Sequence, residues 1–344
     1  MIDDAARSLA ERWMEELLGA PLPEEPRATC DHCAMLPAAG ERPSTHHFNP
    51  STKCCTYFPA LPNFLVGRIL EDDRAAEGRR RVTALIERRS GVSPIGLLPH
   101  REPASRPASF GRAANLRCPY YLDGPAGSCS IWTQRNGVCL SFFCKHSRGA
   151  AGLRFRRATE RLLHYTERQL AIWCALELDL GNEALSLLLP HPDRPASELA
   201  DDARAWGRYA GRELELFRRC AALVEALPWR RVAELGGAET LVLQQVARAA
   251  FAALSSNTLP ATLVLDQLTV EELRSDVVTV VGYSSYDPLE LPRRVFDLLS
   301  CFDGAPLEVV RGRLAREGLD LSDALLRRLV DHEILVEPGS PPAR

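Results

Sequence analysis

The arrangement of cysteines constrains this chain more than any other feature of its sequence. Eight of the 11 cysteines fall between residues 30 and 144, and the other three are far apart. The clustered residues are Cys30, Cys33, Cys54, Cys55, Cys118, Cys129, Cys139 and Cys144. Clustered cysteines can form disulfides, bind metals or act as reactive thiols. Whether the compartment is oxidising or reducing decides which of these roles is expected.

The N-terminal segment carries no export signal. Residues 1–20 are acidic and amphipathic, without the basic start and uninterrupted apolar core of a signal peptide. No apolar run approaches the roughly 20 residues that span a bilayer. We therefore expect a cytoplasmic protein, in which disulfides do not persist. The clustered cysteines are then predicted metal ligands, whereas Cys174, Cys220 and Cys301 are predicted core residues.

Cysteine spacing indicates the kind of metal. Cys30 and Cys33 form a CxxC turn whose two sulfurs can reach one metal, whereas the adjacent Cys54 and Cys55 are expected to point apart. Thiolates favour zinc, copper(I) and iron–sulfur clusters. The predicted cofactor is zinc or iron, the latter including a [4Fe–4S] cluster. Eight cysteines could supply two sites, or one site and a redox pair.

Histidines and lysines also lie beside these cysteines. His32 and His146 are candidate ligands because mixed Cys/His sites are common; the alternative is that they only line a polar loop. Lysine occurs only at Lys53 and Lys145, each next to a clustered cysteine. An ammonium beside a thiolate favours the ionised sulfur, although these two positions could also be accidental.

The second cysteine block carries a family resemblance. Its sequence, CPYYLDGPAGSCSIWTQRNGVCLSFFCKH at residues 118–146, resembles the YkgJ-type cysteine-cluster family of zinc- or iron-chelating domains. The matching residues, in order, are Cys118, Cys129, Ile131, Trp132, Arg135, Cys139 and Cys144. The first block resembles the CxxC and CC elements of that family, so the resemblance covers residues 30–146. The first block is longer than the family pattern, and Asn136 stands where proline commonly follows the arginine.

This resemblance implies bound zinc or iron, including an iron–sulfur cluster. A related class, the flagellin lysine methylases, modifies lysines of proteins. The resemblance therefore implies a protein or peptide partner and makes protein or peptide modification a possible activity by analogy. Between the two blocks, the run CCTYFPALPNFLVG at residues 54–67 is interpreted either as a wall that shields a metal site or as a small core. Tyr57 and Asn63 are its polar candidates.

The hydrophobic pattern predicts a mainly α protein in four parts. These are an N-terminal helix and linker at 1–25, an irregular cysteine-rich metal-binding domain at 26–150, a helical domain at 151–260 and a small winged-helix-like C-terminal module at 261–338. Helices are predicted at 3–19, 64–90, 153–189, 197–227 and 238–255. A loop rich in proline, serine and glycine at 91–111 is predicted to be mobile or to cover a substrate.

The winged-helix-like module is predicted from the order of its helices and strands. A β-branched strand at 277–283 precedes predicted helices at 292–301, 306–317 and 321–332, and a short strand follows at 334–337. Asp320 is the predicted N-cap of the last helix. Helix, helix, helix and strand in this order are typical of winged-helix modules, and the strand at 277–283 is predicted to pair with an extended peptide.

Three functions are compatible with these features. The first is a metal-dependent enzyme or maturation factor that acts on a protein or peptide. The second is a non-catalytic binding or scaffold protein with structural zinc. The third is a metal- or redox-responsive DNA-binding regulator, which a net charge of −3 and an acidic last helix disfavour. The sequence contains no GxGxxG after a strand, Walker A, HExxH or GxSxG motif.

Overall fold

The computed structural model describes residues 7–37, 40, 46–98, 109–124, 127–188 and 202–340. About 52% of the chain is helical and its sheets are small and antiparallel, so the protein is mainly α. The helices are α1 (Leu9–Leu18), α2 (Asn63–Glu71), α3 (Ala76–Glu87), α4 (Gly137–Ser141), α5 (Gly149–Glu177), α6 (Asn182–Leu188), α7 (Ala203–Trp206), α8 (Glu213–Glu225), α9 (Trp229–Ser255), α10 (Arg293–Asp297), α11 (Leu307–Arg316) and α12 (Asp323–Asp331).

Short strands form the remaining regular structure. They are β1 (Leu61–Pro62), β2 (Val92–Ser93), β3 (Gly96–Leu97), β4 (Tyr121–Leu122), β5 (Ser128–Cys129), β6 (Thr262–Leu265), β7 (Thr269–Leu273), β8 (Val277–Val281), β9 (Leu289–Pro292), β10 (Asp303–Pro306) and β11 (Leu335–Val336). They assemble into four sheets with the orders β1-β3-β2, β4-β5, β7-β8-β9 and β10-β6-β11.

The chain divides into two compact units that are discontinuous in sequence. The first contains residues 1–24, 29–142 and 158–248, and the second contains residues 25–28, 143–157 and 249–344. The chain therefore passes from one unit to the other several times, and both α5 and α9 contribute residues to both units.

Helix α1 begins and ends where its capping residues require. Ser8 accepts a hydrogen bond from the Glu11 backbone N–H, and the Glu11 side chain accepts one from the Ser8 N–H. This capping box satisfies two amides that the first turn leaves without helical partners. Gly19 ends the helix in the left-handed conformation, as predicted. The helix predicted from residue 3 instead begins at Leu9, because Ser8 is extended and caps it; residues 3–6 lie outside the described residues.

A close contact between α2 and α8 organises the first unit. A Cβ added to Gly67 of α2 would lie 1.9 Å from the Phe217 carbonyl oxygen and 2.8 Å from the Ala221 Cβ. Only glycine therefore allows the two helix backbones to approach this closely. Around them, Trp13 and Phe64 are fully buried and their ring centroids lie 6.3 Å apart.

Two sheets and three helices build the second unit. Its core combines the inward side chains of the sheets with those of α10, α11 and α12, including Val278, Val310 and Leu326, each fully buried. Strand β8 pairs with β7 on one side and β9 on the other. The prediction that the strand at 277–283 receives a peptide is therefore wrong, because both of its edges already have partners. The edge strands of this sheet are β7, whose five residues are all exposed, and β9, in which exposed and buried residues alternate.

The C-terminal helices occur in the predicted order with changed bounds. The predicted helix at 292–301 is split into α10 and a 3₁₀ turn at Leu299–Cys301. Ser322, not Asp320, caps α12, since its hydroxyl accepts the Leu325 N–H. Sequence reasoning missed β6, β7, β9 and β10, which are too short or too polar to give a clear alternation.

Glycine and turns break three of the longer predicted helices. The predicted segment 64–90 contains α2 and α3, and 153–189 contains α5 and α6. The described part of 197–227 contains α7 and α8, and residues 197–201 lie outside it. Gly237, with φ of 72° and ψ of −162°, interrupts α9, so the helix predicted from 238 starts directly after a break.

The predicted loop at 91–111 begins with a β-hairpin, β2-β3, and residues 99–108 lie outside the described residues.

Within the described ranges, no helix combines the length and apolarity needed to cross a membrane.

Candidate metal centre

Six cysteines line one cavity in the first unit. They are Cys30, Cys54, Cys55, Cys118, Cys129 and Cys139. The cavity has a volume of about 210 Å³. Its other walls are mainly aromatic and aliphatic side chains: Tyr57, Pro59, Phe110, Tyr120, Tyr121, Ile131, Trp132, Val138 and Phe142. Lys53 and Arg135 are the two cationic side chains in this lining.

Backbone hydrogen bonds bring the cysteine-bearing segments together. The Cys118 N–H donates to the Cys55 carbonyl oxygen at 2.8 Å, which joins the segment of the adjacent pair to the second block. Strands β4 and β5 place Cys129 opposite Tyr121. Cys139 lies in α4, where its N–H donates to the Asn136 side-chain oxygen at 3.0 Å. The fold thus gathers residues that are distant in sequence.

Burial disfavours the thiolate form of most of these cysteines. It raises the pKa of Cys118 to about 12, and it raises the pKa values of Cys30 and Cys129. The pKa of Cys139 is well above its ordinary value for the same reason. For Cys54 the largest cause is a side-chain hydrogen bond with Cys55, followed by burial. A metal that binds here must displace thiol protons.

Arg135 supplies positive charge at the cavity. Its guanidinium lies 3.5 Å from the ring centroid of Trp132, a cation–π geometry. It also donates to the carbonyl oxygens of Trp132 at 3.1 Å and Cys139 at 3.3 Å. This charge lowers the pKa values of Cys30 and Cys129 in opposition to burial. Arg135, which the sequence singled out only through the family resemblance, therefore lies beside the predicted ligands.

The run at 54–67 has two parts with different surroundings. Tyr57 and Pro59 line the cavity, whereas Phe64 and the residues around it are core. Asn63 is fully buried, and its side-chain amide donates to the carbonyl oxygens of Pro94 at 3.0 Å and Ala171 at 2.9 Å. Asn63 therefore joins structural segments and does not line the cavity.

Cys33 and His32 do not line the cavity. Cys33 is half-buried, and burial, with a smaller contribution from Cys54, raises its pKa. His32 is exposed, and its backbone N–H donates to the Thr29 hydroxyl at 3.3 Å. The CxxC turn thus directs Cys30 towards the cavity and leaves His32 at the surface.

Cys144 and His146 belong to the second unit. Both are buried, and the exposed fraction of His146 is 2%. Neither ring nitrogen of His146 has a hydrogen-bond partner among the described residues. Burial, with a smaller contribution from the Arg156 charge, lowers the pKa of His146 to about 4. The imidazole is consequently neutral at pH 7, the form in which histidine binds a metal.

A hydrogen-bonded group surrounds His146 within the second unit. Its ring centroid lies 6.0 Å from that of Tyr283. The Tyr283 hydroxyl donates to Asp287 at 2.6 Å, and Arg27 donates to the same carboxylate at 2.7 and 3.0 Å. Arg27 also donates to the His146 carbonyl oxygen at 3.1 Å. No sequence motif indicated this group, because Arg27 and Asp287 are far apart in the chain.

The three isolated cysteines lie outside the cavity. Cys174 and Cys220 are fully buried in the first unit, where the Cys174 sulfur lies 3.9 Å from the Cys220 carbonyl oxygen. Cys301 is half-buried and packs against the core of the second unit. These positions confirm the prediction that the three cysteines are packing residues.

Among the described residues, no group of three or more histidine, cysteine, aspartate or glutamate side chains is placed so that it could hold a metal ion. Comparison with known proteins does not identify a family for this chain. No protein-family model, curated protein or solved structure was found to match the chain.

Proposed function

We propose that this protein binds zinc or iron through its clustered cysteines and acts on a protein or peptide. The observation that carries the proposal is the convergence of six cysteines on one cavity. They come from the CxxC turn, the adjacent pair and the second cysteine block, which the sequence separates by up to about a hundred residues. Membership of the YkgJ-type cysteine-cluster family remains part of this proposal.

The donor set fits a thiophilic metal. Thiolates select zinc and iron–sulfur clusters over hard cations, and an apolar lining limits solvent access to such a site. The six cavity cysteines, Cys30, Cys54, Cys55, Cys118, Cys129 and Cys139, are the residues that would hold the metal. When bound, zinc would supply structural cross-linking or Lewis acidity, whereas an iron–sulfur cluster would supply electron transfer.

The residues of this chain have separable tasks at such a site. The apolar wall, including the fully buried Tyr120 and Ile131, limits the access of water and so strengthens electrostatic interactions inside. Arg135 contributes a positive charge that offsets the negative charge of bound thiolates. Its stack on Trp132 holds that charge in place. Trp132 is 49% exposed, so it lies where an incoming substrate would meet the cavity.

The first experiment measures the metal content of the protein. Protein purified without oxygen is analysed for zinc, iron and sulfide, and its visible spectrum is recorded. Iron with sulfide and a broad absorption near about 400 nm favours a redox or modifying enzyme. Stoichiometric zinc without colour favours the alternative, a scaffold with structural zinc. Protein that contains neither metal, and that takes up neither in reconstitution, contradicts the proposal.

Serine substitutions identify the ligands. Cys118→Ser is expected to weaken metal binding by more than about tenfold, since outer-shell changes alone cost about 10–100-fold. Cys301→Ser is the matched control, because Cys301 is half-buried, packs against the core of the second unit and does not line the cavity. Equal metal affinities of the two variants would contradict the assignment of Cys118.

The partner is proposed to be an extended peptide or protein segment. Strand β7 is the exposed edge of its sheet, and its Val270 and Leu273 are 43% and 59% exposed. An edge strand with exposed apolar side chains can pair with an incoming strand. The three helices and the sheet β10-β6-β11 support the winged-helix-like interpretation of this region.

A DNA-binding role has less support. Helix α12 would be the reading helix, but it carries Asp323 and Asp331, and Asp331 pairs with Arg148 at 3.0 Å. A helix that reads DNA needs a basic surface.

The peptide-binding surface can be tested with a displayed library of random peptides. Wild-type protein is expected to enrich β-prone peptides. Leu273→Asp is expected to lose that enrichment by about tenfold or more, because it replaces an exposed apolar side chain with a third carboxylate beside Glu271 and Glu272. Val309→Asp is the control, since Val309 is 48% exposed on α11. Enrichment that survives Leu273→Asp would exclude β7 as the docking strand.

A further inference from the structure

Lys53 is one of only two lysines in the chain, and it is buried. Its exposed fraction is 5%, whereas nearly all other basic residues are arginines. Its backbone has φ of 48°, in the left-handed region that residues with a Cβ seldom adopt. Such a conformation persists where the surrounding structure determines it, and it is most frequent at functional sites.

The ammonium of Lys53 joins three segments. It donates to the carbonyl oxygen of Cys30 and, at 3.2 Å, to that of Gly127. Cys30 belongs to the CxxC turn, and Gly127 lies two residues before Cys129 in the β4-β5 hairpin. Lys53 itself immediately precedes Cys54. One side chain thus connects the backbones that carry three of the cavity cysteines.

A second contact closes the same region. The Tyr121 hydroxyl donates to the Pro50 carbonyl oxygen at 3.3 Å, which ties the hairpin to the turn that contains Lys53. Gly127 has φ of 55°, and a Cβ there would lie 2.0 Å from the Tyr121 hydroxyl oxygen. Glycine at 127 therefore leaves room for the Tyr121 side chain, and two hydrogen bonds, from Tyr121 to Pro50 and from Lys53 to Gly127, join the hairpin to the turn.

Lysine has properties here that arginine does not share. A buried ammonium is costly unless its donors are satisfied, and the carbonyl oxygens of Cys30 and Gly127 satisfy two of them. The ammonium is a compact charge with three donors, whereas a guanidinium is planar and wider. A chain that uses arginine at almost every other basic position retains lysine at this one.

We propose that Lys53 is a positioning residue of the metal centre, which it assembles by clamping the Cys30, Cys54 and Cys129 segments around the cavity. Its positive charge also lies beside sulfurs that become negative when they bind a metal. This proposal rests on the proposed metal-binding function. The clamp itself is a property of the metal-free chain, so it can be tested separately.

Titration with Co(II) tests the role of Lys53 in metal binding, through the sulfur-to-cobalt absorption bands. Lys53→Met removes the donors and the charge, and is expected to weaken Co(II) binding by about 10–100-fold, as for other outer-shell changes. Lys53→Arg retains the charge and is expected to restore part of the affinity. Lys145→Met is the control, since Lys145 is the other lysine that is adjacent to a clustered cysteine, and it should bind Co(II) as the wild type does. Equal affinity of Lys53→Met and wild type would overturn the proposal.

Thiol alkylation of metal-free protein tests the clamp without any metal. Lys53→Met is expected to speed the reaction of Cys30 and Cys129 with iodoacetamide, while Cys301 keeps its wild-type rate. If wild-type protein shows no cobalt bands but this difference is found, the metal function fails and the clamp stands. If the alkylation rates are equal, the clamp itself is excluded.

Acetylation of wild-type protein covers the case in which Lys53→Met does not fold. Because Lys53 is buried and Lys145 is half-buried, acetic anhydride is expected to modify Lys145 at least about tenfold faster. Equal modification of the two lysines would show an accessible Lys53 and would overturn the proposal.

Discussion

At the scale of single residues, burial changes ordinary side chains into specialised ones. Glu167 of α5 has an exposed fraction of 4%, and one of its oxygens accepts the Gly137 N–H at 2.8 Å. Burial raises its pKa from 4.5 to about 8 in spite of that hydrogen bond. The folded protein therefore holds a proton on Glu167 at neutral pH that the unfolded chain releases.

The sign of the resulting pH dependence follows from this difference. The contribution of neutral Glu167 to stability is complete below about pH 4.5 and is lost as the pH rises towards 8. The slope reaches at most about 1.4 kcal/mol per pH unit. Glu167→Gln cannot titrate and keeps an oxygen that accepts from Gly137. It should therefore gain at least about 1–2 kcal/mol relative to wild type between pH 5 and pH 8.

Urea unfolding at the two pH values measures this gain. Glu177→Gln, at an exposed position on the same helix, serves as the control and should show no such gain. If the stability difference between Glu167→Gln and wild type were the same at both pH values, the raised pKa would be refuted.

At the scale of elements, the contact between α2 and α8 is the most demanding feature of the first unit. Gly67 has no Cβ, and the Phe217 carbonyl oxygen occupies the space where one would be. Gly67→Ala must therefore move the two helices apart, at a cost of about 1–3 kcal/mol, which is typical of overpacking.

The matched control for this change is Gly312→Ala in α11. A Cβ at Gly312 would meet nothing within 4 Å, so alanine should stabilise that helix by about 0.5–1 kcal/mol. Chemical unfolding of both variants gives the comparison. A Gly67→Ala variant as stable as Gly312→Ala would contradict the close helix contact.

Sequence reasoning succeeded where a signal is local. The Gly19 stop, the order of the C-terminal helices and the burial of Cys174 and Cys220 follow from capping and periodicity. It failed where a contact joins distant residues. Nothing in the pattern around Val277 shows that two other strands already pair with β8, and the short strands β6 and β10 lack a measurable period.

For the candidate site too, the sequence predicted local features and missed those that depend on contacts between distant residues. Spacing selected the clustered cysteines, but it could not separate Cys30, whose side chain lines the cavity, from Cys33, whose side chain does not. It also gave no reason to assign Cys144 and His146 to the second unit. The position next to a cysteine did draw attention to Lys53, while its bond to Gly127 depends on how the hairpin folds.

At the scale of the whole molecule, the interleaved course of the chain is the main feature. Residues 29–142 form the first unit only together with residues 158–248. A fragment that ends at residue 150 keeps all eight clustered cysteines, yet it lacks α8, the helix on which α2 packs. The cysteine-rich region is thus part of a larger fold and not a separable module.

This threading has a consequence for the order of events during synthesis. The first unit cannot be completed until residue 248 has emerged from the ribosome, although Cys30 emerges much earlier. At about 5–20 residues per second, the interval is roughly 10–40 s. Throughout it the nascent thiols lack their final walls and are open to metal ions, to oxidants and to one another. The proposed metal could therefore be enclosed by the final walls of the cavity only after residue 248 has been synthesised.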